Sequence, residues 1–271
     1  AGASIVIPDS GSAEPVQTDG QGRYNWNNLP GEAVNLNVVA QGYFAAQQTA
    51  TLQRGPNAIS IALKRDPSAL LPSQACAAGE KPLYIEDFQD GKAAGWPEIE
   101  MAVPGWKIVP DPENAANTLL TAIAEAPRTS YNRDAVSYVN VVWRIKYMYT
   151  GKGGTFFNFR FTESPEQNAY YITGGIYSHL TRMQNGQRIH LKNFPVIKAD
   201  TWYLLEIGYF DSNLSIWLDG KNILEWQDPH PWDGGTINLE PHIENSGMFY
   251  YDDISVCELT APMQPLPPTT P

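Results

Sequence analysis

The chain has 271 residues, 42% hydrophobic and 17% charged, with 22 glycines and 22 prolines. A formal charge of −11 argues against nucleic acid and anionic membrane surfaces as partners, and no apolar run approaches the roughly 20 residues that insert across a bilayer. Low charge with many turn residues and 11% aromatics favours short strands over helices.

Residues 1–66 form a first unit. Ser4 to Ile7 is a short apolar strand, and Thr18 to Tyr24 (TDGQGRY) is a turn leading into another. Val34, Leu36 and Val38 alternate, as do Ile59, Ile61 and Leu63, the mark of half-buried strands. The run TDGQGRYNWNNLPG, followed by LNVVAQGYF and NAISIALKRD, resembles the carboxypeptidase regulatory-like family. The resemblance implies a small immunoglobulin-like or transthyretin-like β-sandwich, serving as a non-catalytic spacer or adhesive module on secreted proteins. Members of that family open with one more strand than is present before Ala1-Gly2-Ala3. The start does not read as a signal peptide, which suits a mature or trimmed chain. A sandwich lacking its first strand exposes an apolar groove and unpaired backbone groups. A strand from another copy could fill it, or the chain's own tail could fold back.

Residues 67–82 read as a linker, punctuated by Pro67, Pro72 and Pro82. Residues 83–259 read as a second, larger unit. Its strands are expected at Leu83–Phe88, Gly105–Val109, Val136–Met148, Thr155–Phe161, Ala169–Ile176 and Arg188–Asn193. The clearest signal follows, a meander over Trp202–Trp226. Leu205, Ile207 and Tyr209 face one side of the first strand and Leu214, Ile216 and Leu218 carry the next. Asp219-Gly220 supplies a two-residue hairpin turn. The last strands are Gly234–Leu239 and Met248–Val256. The elements IEDFQDG, GW, WYLLEI, IWLDG, GGTINL and YYDDISV resemble, in this order, the concanavalin A-like jelly rolls: laminin-G-like domains, family-16-type glucanases and related carbohydrate-binding modules. The fold class is therefore all-β, a small incomplete immunoglobulin-like sandwich followed by a concanavalin A-like jelly roll. That fold hosts lectins, hydrolases and scaffolds alike.

The resemblance also implies a structural Ca²⁺ between first and last strands, with Glu86, Asp87, Asp252 and Asp253 as its matching acids. Cys76 and Cys257 flank this unit. A disulfide is geometrically reasonable and implies an oxidising, extracellular or cell-surface setting; two buried free thiols are the alternative. For sugar stacking the candidates are Trp143, Tyr170, Tyr171, Tyr177, Trp226 and Trp232, set against simple packing of the sheet faces. Asn213-Leu214-Ser215 is the one N-glycosylation sequon. Glu98 and Glu100 do not make the three-acid strand run of a retaining glucanase, and no nucleophile elbow or metal-spaced histidines appear, so no enzyme is expected.

The last 12 residues, TAPMQPLPPTTP, are too proline-rich for an interior strand and are expected to lie extended on their own sandwich or on a neighbouring subunit. Two functions compete. One is an extracellular structural subunit that self-assembles into a filament through strand or tail exchange, with Ala3, Ile5, Ile7, Pro262 and Leu266 in the crossing segments. The other is a secreted carbohydrate-binding module that takes a polysaccharide.

Overall fold

A computed structural model describes residues 3–8, 15–19, 21–27, 29, 33–40, 43, 45–63, 72–115, 117–123, 126–131, 137–162, 168–175, 177–245 and 247–266. The chain divides into two compact units, Ala1–Leu71 and Pro72–Pro271.

In the first unit, β1 (Ser4–Val6), β2 (Val16–Gln17), β3 (Ala33–Val39) and β4 (Ala46–Thr51) form one antiparallel sheet in the order β2-β1-β3-β4. The turn before Tyr24 is built by Asp19, whose Oδ1 accepts hydrogen bonds from the Gln21 and Arg23 amides at 2.9 and 2.8 Å. Alternation in β3 buries Val34, Leu36 and Val38 against Ile5 and Ile7. Ile59, Ile61 and Leu63 pack partly against this core, but residues 52–63 join no ladder, contrary to the expected strand. An open groove of about 1640 Å³ lies between them, lined in part by Tyr24, Trp26, Leu29 and Ile59. Ala3, Ile5 and Ile7 are buried in this unit's own core, and β1 is an interior strand of its sheet.

The second unit begins inside the expected linker. Residues 72–82 carry a helical turn, α1 (Pro72–Ala75), and the start of β5 (Lys81–Glu86). Small residues and Cys76 let this segment lie flat on a sheet, which prolines alone did not reveal. The rest are α2 (Pro97–Glu100), β6 (Trp106–Pro110), β7 (Thr118–Ile123), β8 (Thr129–Ser130), β9 (Val141–Tyr149), β10 (Lys152–Thr162), β11 (Asn168–Gly175), β12 (His179–Gln184), β13 (Gln187–Asn193), β14 (Tyr203–Phe210), β15 (Asn213–Leu218), β16 (Lys221–Gln227), β17 (Thr236–Asn245) and β18 (Met248–Glu258). They make two antiparallel sheets. One is six-stranded, β13-β12-β11-β10-β17-β8. The other runs β16-β15-β14-β9-β18-β7-β6, with β5 pairing the far half of β18.

The meander forms as its sequence dictates. Asp219 and Gly220 sit at φ 49° and 72°, the left-handed pair that a tight hairpin needs. Leu205, Ile207 and Tyr209 from β14, Trp143, Ile145 and Tyr147 from β9, and Phe157, Phe159, Tyr170, Ile172, Ile237 and Leu239 from the six-stranded sheet fill one shared core. This is the two-layer sandwich expected of such strands.

The outer face of the larger sheet is closed by the chain itself. Arg144 projects outward from β9, fully buried. Its guanidinium donates to Glu80 through Nη1 (2.6 Å) and Nη2 (2.9 Å), to Glu206 through Nε (2.8 Å), and to the Gln264 carbonyl (3.1 Å). The Leu266 amide donates to Glu206 Oε2 at 3.0 Å. Gly208 has no side chain because Met263 occupies the space: a Cβ there would lie 2.2 Å from its Sδ. Residues 260–266 thus seat on their own domain, with Pro262 exposed and Leu266 half-buried. The rest of the tail, residues 267–271, lies outside the described residues.

Candidate functional site

The outer face of the six-stranded sheet differs from the closed one. Helix α1 packs against β5 and β18 of the larger sheet, and α2 meets this sheet at its edge strand β8, beside β6 of the other. Ladder register sets two rows across it. Thr181, Tyr171, Asn158 and Asn238 stand directly opposite one another from β12 to β17, with His190 next on β13. His179, Thr173, Phe156 and Glu240 form the second row. Alternation sends these outward because Phe157, Phe159, Ile172 and Leu239 point into the core.

A β-bulge refines the expected pattern. Arg160 has φ 52°, and the ladder slips between Phe159 and Phe161. Strict alternation along this strand would put Phe161 with Phe157 and Phe159, and Arg160 with Phe156 and Asn158. The extra residue reverses both. Arg160 turns inward, its guanidinium 3.6 Å from the Tyr209 ring, and Phe161 turns outward to join Ala169, Tyr171 and Met183.

The floor of the face is polar and buried. Asn158 Nδ2 donates to Asn238 Oδ1 at 2.7 Å and to Glu240 Oε2 at 3.0 Å, while Asn158 Oδ1 has no hydrogen-bond partner among the described residues. Around this floor are aromatic rings, two guanidiniums and two imidazoles. Arg128 lies 4.6 Å over the Phe161 ring, and Arg188 lies 5.7 and 5.6 Å from the Phe156 and Tyr171 rings. The His179 and His190 rings are 5.5 Å apart. Burial and Glu240 raise the Tyr171 pKa, with Arg128 and Arg188 opposing. Burial, His190 and Arg188 lower that of His179.

Of the aromatics singled out from sequence, only Tyr171 belongs to this face. Trp143 and Tyr170 are fully buried in the core. Tyr170 donates to Asp228, and Trp226 and Trp232 pack on it with ring centroids 5.8 and 4.8 Å away. Asp228 in turn accepts from Arg182 at 2.7 Å, so this constellation anchors the 228–232 loop rather than offering a platform. Tyr177 is exposed at the β11–β12 turn. Phe156, Asn158, Asn238, Glu240, Arg128, Arg188, His179 and His190 were not singled out. The alternation of Phe156 and Asn158 against Phe157 and Phe159 was the available signal.

The expected pairing of Cys76 with Cys257 is present, with the Cα atoms 5.9 Å apart. Asn213 is exposed at the first residue of β15. The four acids expected to hold Ca²⁺ each have protein partners, Asp87 Oδ1 accepting from the Gln89 amide at 3.2 Å. Glu86 Oε1 accepts from the Phe88 amide, Asp252 accepts from Asn117 at 3.0 Å, and Asp253 is paired with the Lys146 ammonium. Lys146 therefore supplies the positive charge. Among the described residues the one trio of metal-type ligands within 4.8 Å is Cys76, Glu80 and Cys257, whose sulfurs are already bonded to each other. Glu98 and Glu100 lie on α2 and bond to Thr129 (2.6 Å) and the Gly95 amide (3.0 Å).

Burial pushes the Glu86 carboxyl up to about 7. Burial and neighbouring Asp253 likewise raise that of Asp252. Both exceed the unfolded value near 4. The folded state thus holds these protons more tightly, and its stability declines as pH rises from about 4 through about 7 and beyond. Thermal midpoints of the second unit should be higher at pH 5 than at pH 8. Asp252→Asn should flatten that slope; a slope unchanged in Asp252→Asn and Glu86→Gln would refute the assignment.

No protein-family model and no curated protein matches the chain. Solved structures do. A putative glycosyl hydrolase from Parabacteroides distasonis is 14% identical, with TM-score 0.44 over 66% of this chain and 99% of its own. The Bacillus licheniformis β-glucanase is 9% identical, with TM-score 0.45 over 66% and 98%. Carbohydrate-binding module CBM66 from Bacillus subtilis is 13% identical, with TM-score 0.37 over 57% and 92%. The filament expectation is corrected. The segments expected to cross between subunits are engaged at home: Ala3, Ile5 and Ile7 in the first unit's core, residues 263–266 on the second unit's larger sheet.

Proposed function

We propose that the second unit is a non-catalytic carbohydrate-binding module that takes a polysaccharide on the outer face of its six-stranded sheet. One observation carries this reading. The chain caps the outer face of one sheet with residues 72–80 and 260–266, whereas the outer face of the other carries Phe156 and Tyr171 beside buried amides. Aromatic rings next to fixed amide donors and acceptors suit a ligand with apolar ring faces and hydroxyl edges. Glu240 is the one carboxylate among the described side chains on this face, and glycoside hydrolysis ordinarily needs two. The Cys76–Cys257 bridge suits a secreted protein. The first unit fits a spacer module of the carboxypeptidase regulatory-like kind.

The test is affinity electrophoresis of the full chain through gels containing soluble polysaccharides, neutral and acidic. At least one should retard it. Phe156→Ala should weaken that retardation by up to roughly tenfold, and Ile123→Ala, exposed on β7 of the other sheet, should not. A full chain retarded by no polysaccharide overturns the reading.

A further inference from the structure

Resting on the carbohydrate reading above, we infer that the ligand of this face is an acidic glycan, whose carboxylate or sulfate groups are taken by Arg188. Three other arginines are committed within the fold. Arg144 is buried against Glu80 and Glu206, Arg182 against Asp228. Arg160 donates to the Val139 and Trp232 carbonyls through its two terminal nitrogens. Arg188 is exposed on edge strand β13 and pairs with no carboxylate among the described residues; its contacts are the Phe156 and Tyr171 rings. Arg128 lies over Phe161 on the same face. Against these two cations stands Glu240, whose Oε2 already accepts from Asn158.

Stacking occupies the flat face of a guanidinium and leaves its N–H edge free. That edge is the part that grips a carboxylate or sulfate through two parallel hydrogen bonds. The rings therefore hold Arg188 in position for an anion. The location also runs against the rest of the molecule, which carries a net charge of −11 and repels polyanions at long range. Binding an acidic chain here requires local cations whose pull exceeds that background within a Debye length of ~10 Å.

The experiment runs the full chain through gels holding polygalacturonate, dextran sulfate, a neutral β-glucan or no polysaccharide. Polygalacturonate, dextran sulfate or both should retard it, and the two arms separate carboxylate from sulfate recognition. Arg188→Gln should weaken the retardation roughly tenfold, as expected for a lost charge-assisted pair. Arg188→Lys should weaken it less, because a point charge remains. Thermal midpoints check that both variants are folded, which the exposure of Arg188 favours. Retardation by the neutral glucan alone overturns the inference and leaves the carbohydrate reading standing. Retardation by the acidic gels that survives Arg188→Gln also overturns the inference. Failure in every gel overturns both.

Discussion

Replacing Arg144 with methionine should cost about 3–5 kcal/mol of stability, the usual loss when one partner of a buried ion pair is removed. For a unit of this size that is a fall in thermal midpoint on the order of 10 °C. The size follows from what remains. Glu206 is 0% exposed, and its Oε1 has no hydrogen-bond partner among the described residues even with Arg144 present. Burial already raises its pKa, with Arg144 the main opposing influence. Without the guanidinium, Glu206 takes up a proton or stays charged in a dry site, and both are unfavourable at neutral pH. The sign with pH follows. A carboxyl whose folded pKa is raised loses stability as pH climbs above its unfolded value near 4.5, so the deficit should be small at pH 4 and grow towards pH 8. The variant Arg144→Met with Glu80→Leu and Glu206→Met should recover most of the loss, because no buried charge is left unpaired. Urea unfolding at three pH values measures all of this. A flat deficit across pH would mean that Arg144 acts through packing alone.

The fold was largely legible because most strands obey period two. The Trp202–Trp226 meander, β10, β11 and β18 could be read from alternation and turn chemistry. Two of the longer strands of the second unit could not. β7, TLLTAI, is buried at four successive positions and so shows no alternation. β12, HLTRMQ, carries Arg182 inside the sandwich, where Asp228 and the face of Trp232 compensate its charge. A charged residue at an interior position hides a strand from any pattern of apolar residues. The first unit failed differently. Ile59, Ile61 and Leu63 alternate and do pack inward, yet their backbone joins no ladder; alternation reports which side faces the core, not whether a neighbour is there to pair.

The candidate face was legible only in outline. Aromatics were counted by type, and type does not distinguish the two sides of a sheet. Trp143 and Tyr170 went to the core, whereas Phe156, one residue from core Phe157, went outside. Register decided which polar groups joined it, since Asn158 meets Asn238 across 80 residues of chain. The bulge at Arg160 exchanged the sides of two residues at once, and local sequence carries no mark of it. The acids expected to bind calcium were brought near one another, as β5 and β18 do pair. Lys146, three residues after Trp143 on a central strand, was the neutralising charge that the sequence did not announce.

Removing the Cys76–Cys257 bridge should be the other large loss. It links residues 181 apart, so the chain-entropy account gives an upper value of roughly 5 kcal/mol, and natural disulfides commonly contribute about 2–5. The bridge also fastens the segment that caps the larger sheet. Cys76 follows α1, Ser255 on β18 donates to the Ala75 carbonyl at 3.0 Å, and Glu80 holds Arg144 from the same segment. Cys76→Ser with Cys257→Ser therefore frees residues 72–80 to lift and leaves Arg144 with Glu206 and the Gln264 carbonyl. The double replacement and Arg144→Met act on one lid, and their costs should sum to less than the two measured separately, by 1 kcal/mol or more at about the scale of coupled neighbours. Strict additivity would separate the bridge from the lid and reduce its role to constraining the unfolded chain. Both sulfurs belong to buried residues, so reduction of the native protein should be slow and should follow the opening of this segment. Thiol labelling under mild reductant reads that opening directly, and Arg144→Met should accelerate it.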